Sequence, residues 1–204
     1  MNTTLATHHK FTAHLERLIR EKDRGALAAL RRGLGKPPGT VREMDRYVLP
    51  YLPQDAGLRP TVREARENAY YLVGALFAYW HQGKADVIEN APANLGDSLR
   101  WLVDRESSET SNREDAEKRV EKRLVALLNC HRDDLPDHLR HTIGLLKSNE
   151  IPVNWMQLLW DIQNWQRESR DVQRNWARKF WRVYDRGTGH DETQSQNKKN
   201  TEEE

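Results

Sequence analysis

The residues of this chain best suited to chemistry are its arginines, and their spacing suits the holding of phosphate better than the breaking of bonds. Arg31 and Arg32 close the stretch DRGALAALRRGLG (23–35), in which Asp23 is a good N-cap and Ala26, Leu27, Leu30 and Leu34 share one helical face. Gly33 and Gly35 supply stop signals, so both arginines belong to a last turn, where the helix dipole favours cations and a phosphate can reach them. A wheel over 113–130 puts Ala116, Val120, Leu124, Leu127 and Leu128 in one stripe. Lys118, Arg119, Lys122 and Arg123 fill an arc of about 140° beside it, with Glu117 and Glu121 on the other flank. A solvated amphipathic face with a Glu114–Lys118 pair at i,i+4 explains this pattern equally well. Arg132 follows in a turn, and Arg140 and Lys147 share a lateral face of the next helix. Arg170, Arg174, Arg178 and Arg182 then repeat at i,i+4. Such a row suits a phosphate backbone or an acidic protein surface equally.

Catalytic patterns are weak by comparison. His131-Arg132-Asp133 has the letters of a kinase catalytic loop, but no Gly-rich loop, Ala-Xaa-Lys strand or Asp-Phe-Gly accompanies it. Asp134, His138 and His141 fall on one helical face, which permits a metal site; with no fourth ligand in view, a surface histidine pair beside an acidic cap is the better reading. His8, His9 and His14 sit near the chain terminus and read the same way. Phosphate cradles, a Gly-Xaa-Ser-Xaa-Gly turn and paired catalytic carboxylates are missing, and no cofactor or small-molecule substrate is implied.

Composition sets the bounds. The 204 residues carry a net charge of only +2, so no global field announces a nucleic-acid binder. Residues 185–204 are net −3, which leaves +5 on the rest, and arginine outnumbers lysine 23 to 10. Arginine is the side chain that grips phosphate or carboxylate through paired hydrogen bonds. Seven tryptophans argue for a packed core. Cys130 is alone, which excludes a disulfide framework or a thiolate cluster. The longest run free of Asp, Glu, Lys and Arg, 68–83, has 16 residues, short of the roughly 20 that cross a bilayer, and MNTTLATHHK is no secretory signal. A soluble, cytoplasmic protein without membrane partners is the expectation.

The elements that must position these residues are all helices. No window alternates as a half-buried strand should. The periodicity predicts helices over about 8–22, 24–34, 43–48, 61–82, 94–103, 113–130, 135–148, 154–167 and 169–184, with 50–60 as loop. The helix from Thr61 is apolar nearly all round and should form a central core; Trp80, Trp155, Trp165 and Trp176 are expected inside. Trp160 and Trp181, which lie off their stripes, suit packing on a partner or across the bundle better than stacking on bases. DRESSETSN (104–112) is polar and reads as a linker. The resulting expectation is an all-α protein of two small bundles, 1–103 and 113–184, joined by residues 104–112 and followed by a disordered tail, 185–204.

In this order the segments resemble the CasB family, the small subunit of the type I-E CRISPR surveillance complex Cascade. Four stretches carry the resemblance: DRGALAALRRGLG (23–35), VREARENAYYLVGALFAYW (62–80), RLVALLNCHRDDLPDHLRHTIGLLKSNEIPVNW (123–155) and VQRNWARKFW (172–181). The resemblance implies two helical bundles, no enzymatic activity and a place in pairs beside the crRNA-bearing backbone subunits and the large subunit. It also implies basic surfaces that face the target and displaced DNA strands and stabilise the R-loop. Carried onto this sequence, the binding candidates are Arg31, Arg32, Arg63, Arg66, Arg119, Lys122, Arg123, Arg132, Arg140 and Lys147. Of these, Arg123, Arg132 and Arg140 converge in the helical reading. The alternative function class is a helical protein-interaction adaptor without nucleic-acid contact, which salt-dependent DNA binding would oppose.

Overall fold

A computed structural model describes residues 3–53, 57–83, 91–110 and 112–182. The expected tail, 185–204, lies outside them. The described residues are helical, without strands: α1 (Thr3–Arg20), α2 (Arg24–Arg32), α3 (Asp45–Val48), α4 (Pro60–Trp80), α5 (Leu95–Thr110), α6 (Arg113–Asn129), α7 (Leu135–Ser148), α8 (Trp155–Gln163) and α9 (Asp171–Phe180). Short 3-10 turns at Arg42–Met44 and Leu49–Tyr51 flank α3. No described helix is long and apolar enough to cross a membrane.

The central place predicted for α4 is what the structure shows. From Ala69 to Trp80 only Leu72 and Tyr79 are less than fully buried, and α2, α7 and α8 all pack on it. Gly74 lets α2 come close, since a Cβ there would stand 3.3 Å from Leu30 Cδ2. Trp80 fills the core and its indole N–H donates to the Ile151 carbonyl at 3.1 Å, so the polar tip of a buried tryptophan is satisfied. Trp155, Trp165 and Trp176 are also buried, as expected, whereas Trp181 is exposed. One buried cluster takes in residues of α1 through α9.

Several local expectations are corrected. Asp104–Thr110, polar enough to suggest a linker, continues α5. Asp104 meets Arg113 at 2.8 Å and Glu106 meets Arg119 at 3.0 Å, so this polar stretch has charge partners on α6 that composition does not reveal. His8 and His14 are buried rather than surface groups; His8 Nε2 meets Gln163 Oε1 at 3.1 Å, and His14 stacks on Tyr51 with ring centroids 4.4 Å apart. Desolvation, the main cause, lowers both imidazole pKa values, so both favour the neutral ring. α8 stops at Gln163 because the Asn164 amide turns back to the Trp160 carbonyl at 2.7 Å.

α5 and α9 meet at the tightest point. A Cβ on Gly96 would lie 2.0 Å from the Trp176 carbonyl oxygen, so no other residue fits. Beneath this contact, buried Asp161 accepts from the Trp176 indole N–H at 2.6 Å and from the Gln157 amide at 2.9 Å. Burial pushes its carboxyl up to about 7, against those two hydrogen bonds, which favour the charged form.

Candidate nucleic-acid interface

What ends α2 sets the site. Asp23 Oδ1 accepts the Ala26 N–H at 2.9 Å, which starts the helix where the sequence predicts. Its last turn bears Arg31 and Arg32 beside carbonyls that favour cations. Gly33 keeps a right-handed backbone and leaves room for Met44, whose Sδ would stand 2.0 Å from a Cβ there and would have to shift. The left-handed residue is Gly35, at φ +73°, and its Cβ position stands 3.2 Å from a guanidinium nitrogen of Arg140 on α7. The turn after α2 therefore lies directly against Arg140.

α7 buries Leu135, Leu139, Ile143 and Leu146, which leaves Arg140 exposed and Lys147 half-buried on its lateral face. Gly144 admits the edge of Tyr79 from α4: a Cβ there would be 3.0 Å from the tyrosine hydroxyl. Lys147 Nζ sits 4.5 Å from the centroid of the Tyr79 ring and donates to Gln82 Oε1 at 3.2 Å. A shallow groove of about 480 Å³ opens here, lined by Ala28, Arg31, Arg32, Leu34, Tyr79 and Arg140. Among the described residues, no carboxylate lines it. Arg32 has Glu43 nearby at 3.6 Å, but both side chains are more than half exposed and the pair is screened. Among the described residues, the side chains of Arg31 and Arg140 make no ion pair or hydrogen bond. Three guanidinium groups brought together in this way repel one another, and an anion between them relieves that repulsion while accepting their donors.

The other candidates are differently placed. On α6, Lys118 pairs with Glu114 at 2.7 Å and Arg119 with Glu106 at 3.0 Å. Lys122 and Arg123 are exposed and, among the described residues, their side chains make no ion pair or hydrogen bond. Arg132 donates to Gln166 Oε1 at 3.2 Å, while Arg140 lines the groove with Arg31 and Arg32. Arg63 and Arg66 lie on the first turns of α4, roughly 24 and 20 Å along the helix axis from Tyr79.

The arginine row near the end of the chain is not a helical row. α9 spans only Asp171–Phe180: Arg170 is its left-handed cap at φ 49° and donates to the Leu128 carbonyl at 2.6 Å, and Arg182 lies beyond its end. Arg174 pairs with Asp171 at 2.6 Å. Hydrogen bonds from Ser169 and then Arg174 hold the Asp171 carboxyl below its usual range. Asp134 occupies the cap position of α7 without a side-chain bond, and His141 Nδ1 lies 2.8 Å from the Asp137 carbonyl oxygen. No three His, Cys, Asp or Glu side chains among the described residues stand close enough to hold a metal ion.

Tyr79 is the residue that sequence reasoning misses. It sits on a helix that is apolar on nearly every face, and nothing local marks which face looks onto α2 and α7.

A sequence profile for the family described as CRISPR-associated protein Cse2 matches residues 26–181. A CRISPR-associated protein Cse2 from Thermus thermophilus is 30% identical over 174 residues, which cover 84% of this chain and 88% of that one. The crystal structure of CasB from Thermus thermophilus aligns with a TM-score of 0.61 at 31% identity, over 85% of this chain and 97% of that one. A chain of a solved CRISPR RNA-guided surveillance complex aligns with a TM-score of 0.68 at 27% identity, over 87% of this chain and 92% of that one. Both the span of the profile match and the identity to a full-length relative lead to one assignment: the chain belongs to the Cse2 (CasB) family of CRISPR-associated proteins.

Proposed function

We propose that this chain is the non-catalytic small subunit of a type I-E Cascade surveillance complex and that it stabilises the R-loop by holding nucleic-acid backbone on basic helical surfaces. In that complex it lies beside the backbone and large subunits and a second copy of itself, in reach of crRNA and target DNA. Family membership and the likeness to a chain of a solved surveillance complex support the setting. The observation that carries the role is the meeting of Arg31, Arg32 and Arg140, from α2 and α7, in one groove with, among the described residues, no carboxylate in its lining. Guanidinium groups grip phosphate oxygens without reading bases, so sequence is left to the guide and position to the protein.

The test is an assembled complex carrying Arg31→Ala, Arg32→Ala and Arg140→Ala together. Complex assembly stays normal and R-loop lifetime falls by about tenfold or more, as the loss of about three phosphate contacts implies. An unchanged lifetime with the variant incorporated would remove the groove from the binding surface.

A further inference from the structure

The lining of the groove is not what phosphate tracking alone requires. Half of it is apolar: Ala28 and Leu34 from α2 and the turn after it, and Tyr79 from α4, all half-buried rather than sealed in the core. Phosphates gain nothing from a hydrophobic floor, because they present only charged oxygens. A nucleobase does gain from one, since it carries a flat apolar face that prefers an aromatic or aliphatic neighbour to water.

The dimensions agree. About 480 Å³ in an open, shallow depression has room for a single nucleotide unit, and charged and apolar residues line the same depression. Tyr79 is held for such a contact on several sides. Gly144 admits its hydroxyl edge against α7, and Lys147 stands over its ring. Little side-chain entropy therefore remains to be lost when a base packs on it. Resting on the nucleic-acid reading above, we infer that the groove takes one unstacked nucleotide of a single strand, with its phosphates on Arg31, Arg32 and Arg140 and its base against Tyr79, Leu34 and Ala28. A duplex cannot present a base this way, because its bases are paired and stacked.

The experiment compares two probes of equal length and charge on the full-length chain at one ionic strength: an oligo(dT) strand and an abasic phosphodiester strand. Fluorescence anisotropy gives both affinities. Oligo(dT) binds about 5- to 10-fold tighter than the abasic strand, the gain that one base on an aromatic contact provides. Tyr79→Leu brings oligo(dT) down to the abasic level and leaves abasic binding unchanged, whereas Tyr79→Phe keeps the preference. Equal, salt-dependent binding of both strands by the parent protein overturns the base contact and leaves the backbone reading intact. Failure of both strands to bind at low salt overturns the backbone reading and the base contact together. The comparison of the two strands on the parent chain decides the matter even if Tyr79→Leu fails to fold.

Discussion

Two basic surfaces of similar residue content differ in what surrounds them. The groove between α2 and α7 gathers Arg31, Arg32 and Arg140 with, among the described residues, no carboxylate in its lining and an acid at the rim of Arg32 alone. The flank of α6 carries Lys118, Arg119, Lys122 and Arg123, but Glu114 and Glu106 already engage the first two, and Asp104 engages the neighbouring Arg113. Charge counted along one helix overstates the second surface. What decides is where the acids fall, and here Glu114 of α6 itself and Asp104 and Glu106 at the end of α5 supply them.

The most severe way to break this contrast is to dislodge α5. Gly96 fixes α5 against α9, and its neighbour across the contact is backbone, which cannot swing aside as a side chain would. Gly96→Val is expected to cost about 5 kcal/mol, at the upper end for a single substitution. For a chain of this size that is a fall in Tm of roughly 10–20 °C, read by thermal unfolding. A Tm within a few degrees of the parent would show that α5, and the acids it holds over α6, are positioned by something other than this contact.

The scaffold under both surfaces supplies the next largest effect. Asp161 has its carboxyl raised to about 7 from 3.8, so the folded state binds its proton more tightly than the unfolded chain does. The resulting stabilisation is complete below pH 4 and is lost as pH rises toward 7, by at most about 4 kcal/mol. His8 and His14 act in the opposite sense: with lowered values, their stabilisation is present above their usual range and is lost as pH falls. Asp161→Asn keeps a carbonyl for the Trp176 indole and puts its amide toward Gln157, whose own amide can turn to accept. The variant should therefore gain stability over the parent at pH 8 and lose that gain at pH 4. An equal difference in Tm at both pH values would mean that Asp161 does not titrate in this range.

Much of the fold is legible because it is local. α7 runs from Leu135 to Ser148 as predicted, since its apolar spacing is clean and Pro136 is tolerated in its first turn. The Asp23 cap is likewise visible in sequence, and it forms. The misses depend on partners far along the chain. The end of α5 looks like a linker until the arginines of α6 are set beside it, and His8 and His14 look peripheral until Tyr70, Tyr51 and Tyr47 enclose them. The same division holds at the groove. Arg31, Arg32 and Arg140 stand out by charge and helix position, but their union needs the approach of α2 to α7. Tyr79 is marked by neither charge nor period.

The finest test compares one arginine from each surface. Arg140→Ala removes a guanidinium that has no ion pair among the described residues and lines the groove. It should weaken single-strand binding about fivefold and reduce the salt slope by about 0.7, the share of one phosphate contact on a single strand. Arg119→Ala also removes one positive charge, but one that Glu106 already holds at 3.0 Å. Its expected loss is less than about twofold, with little change in slope, and the broken surface pair costs the fold about 1 kcal/mol or less. Glu106→Gln then turns the comparison round: it leaves Arg119 without its acid and should raise affinity by about twofold if the α6 flank lies near the strand. Equal losses from Arg140→Ala and Arg119→Ala would collapse the distinction between the surfaces. The bound phosphate would then have to displace Glu106 from Arg119, and α6 would join the groove in one continuous track.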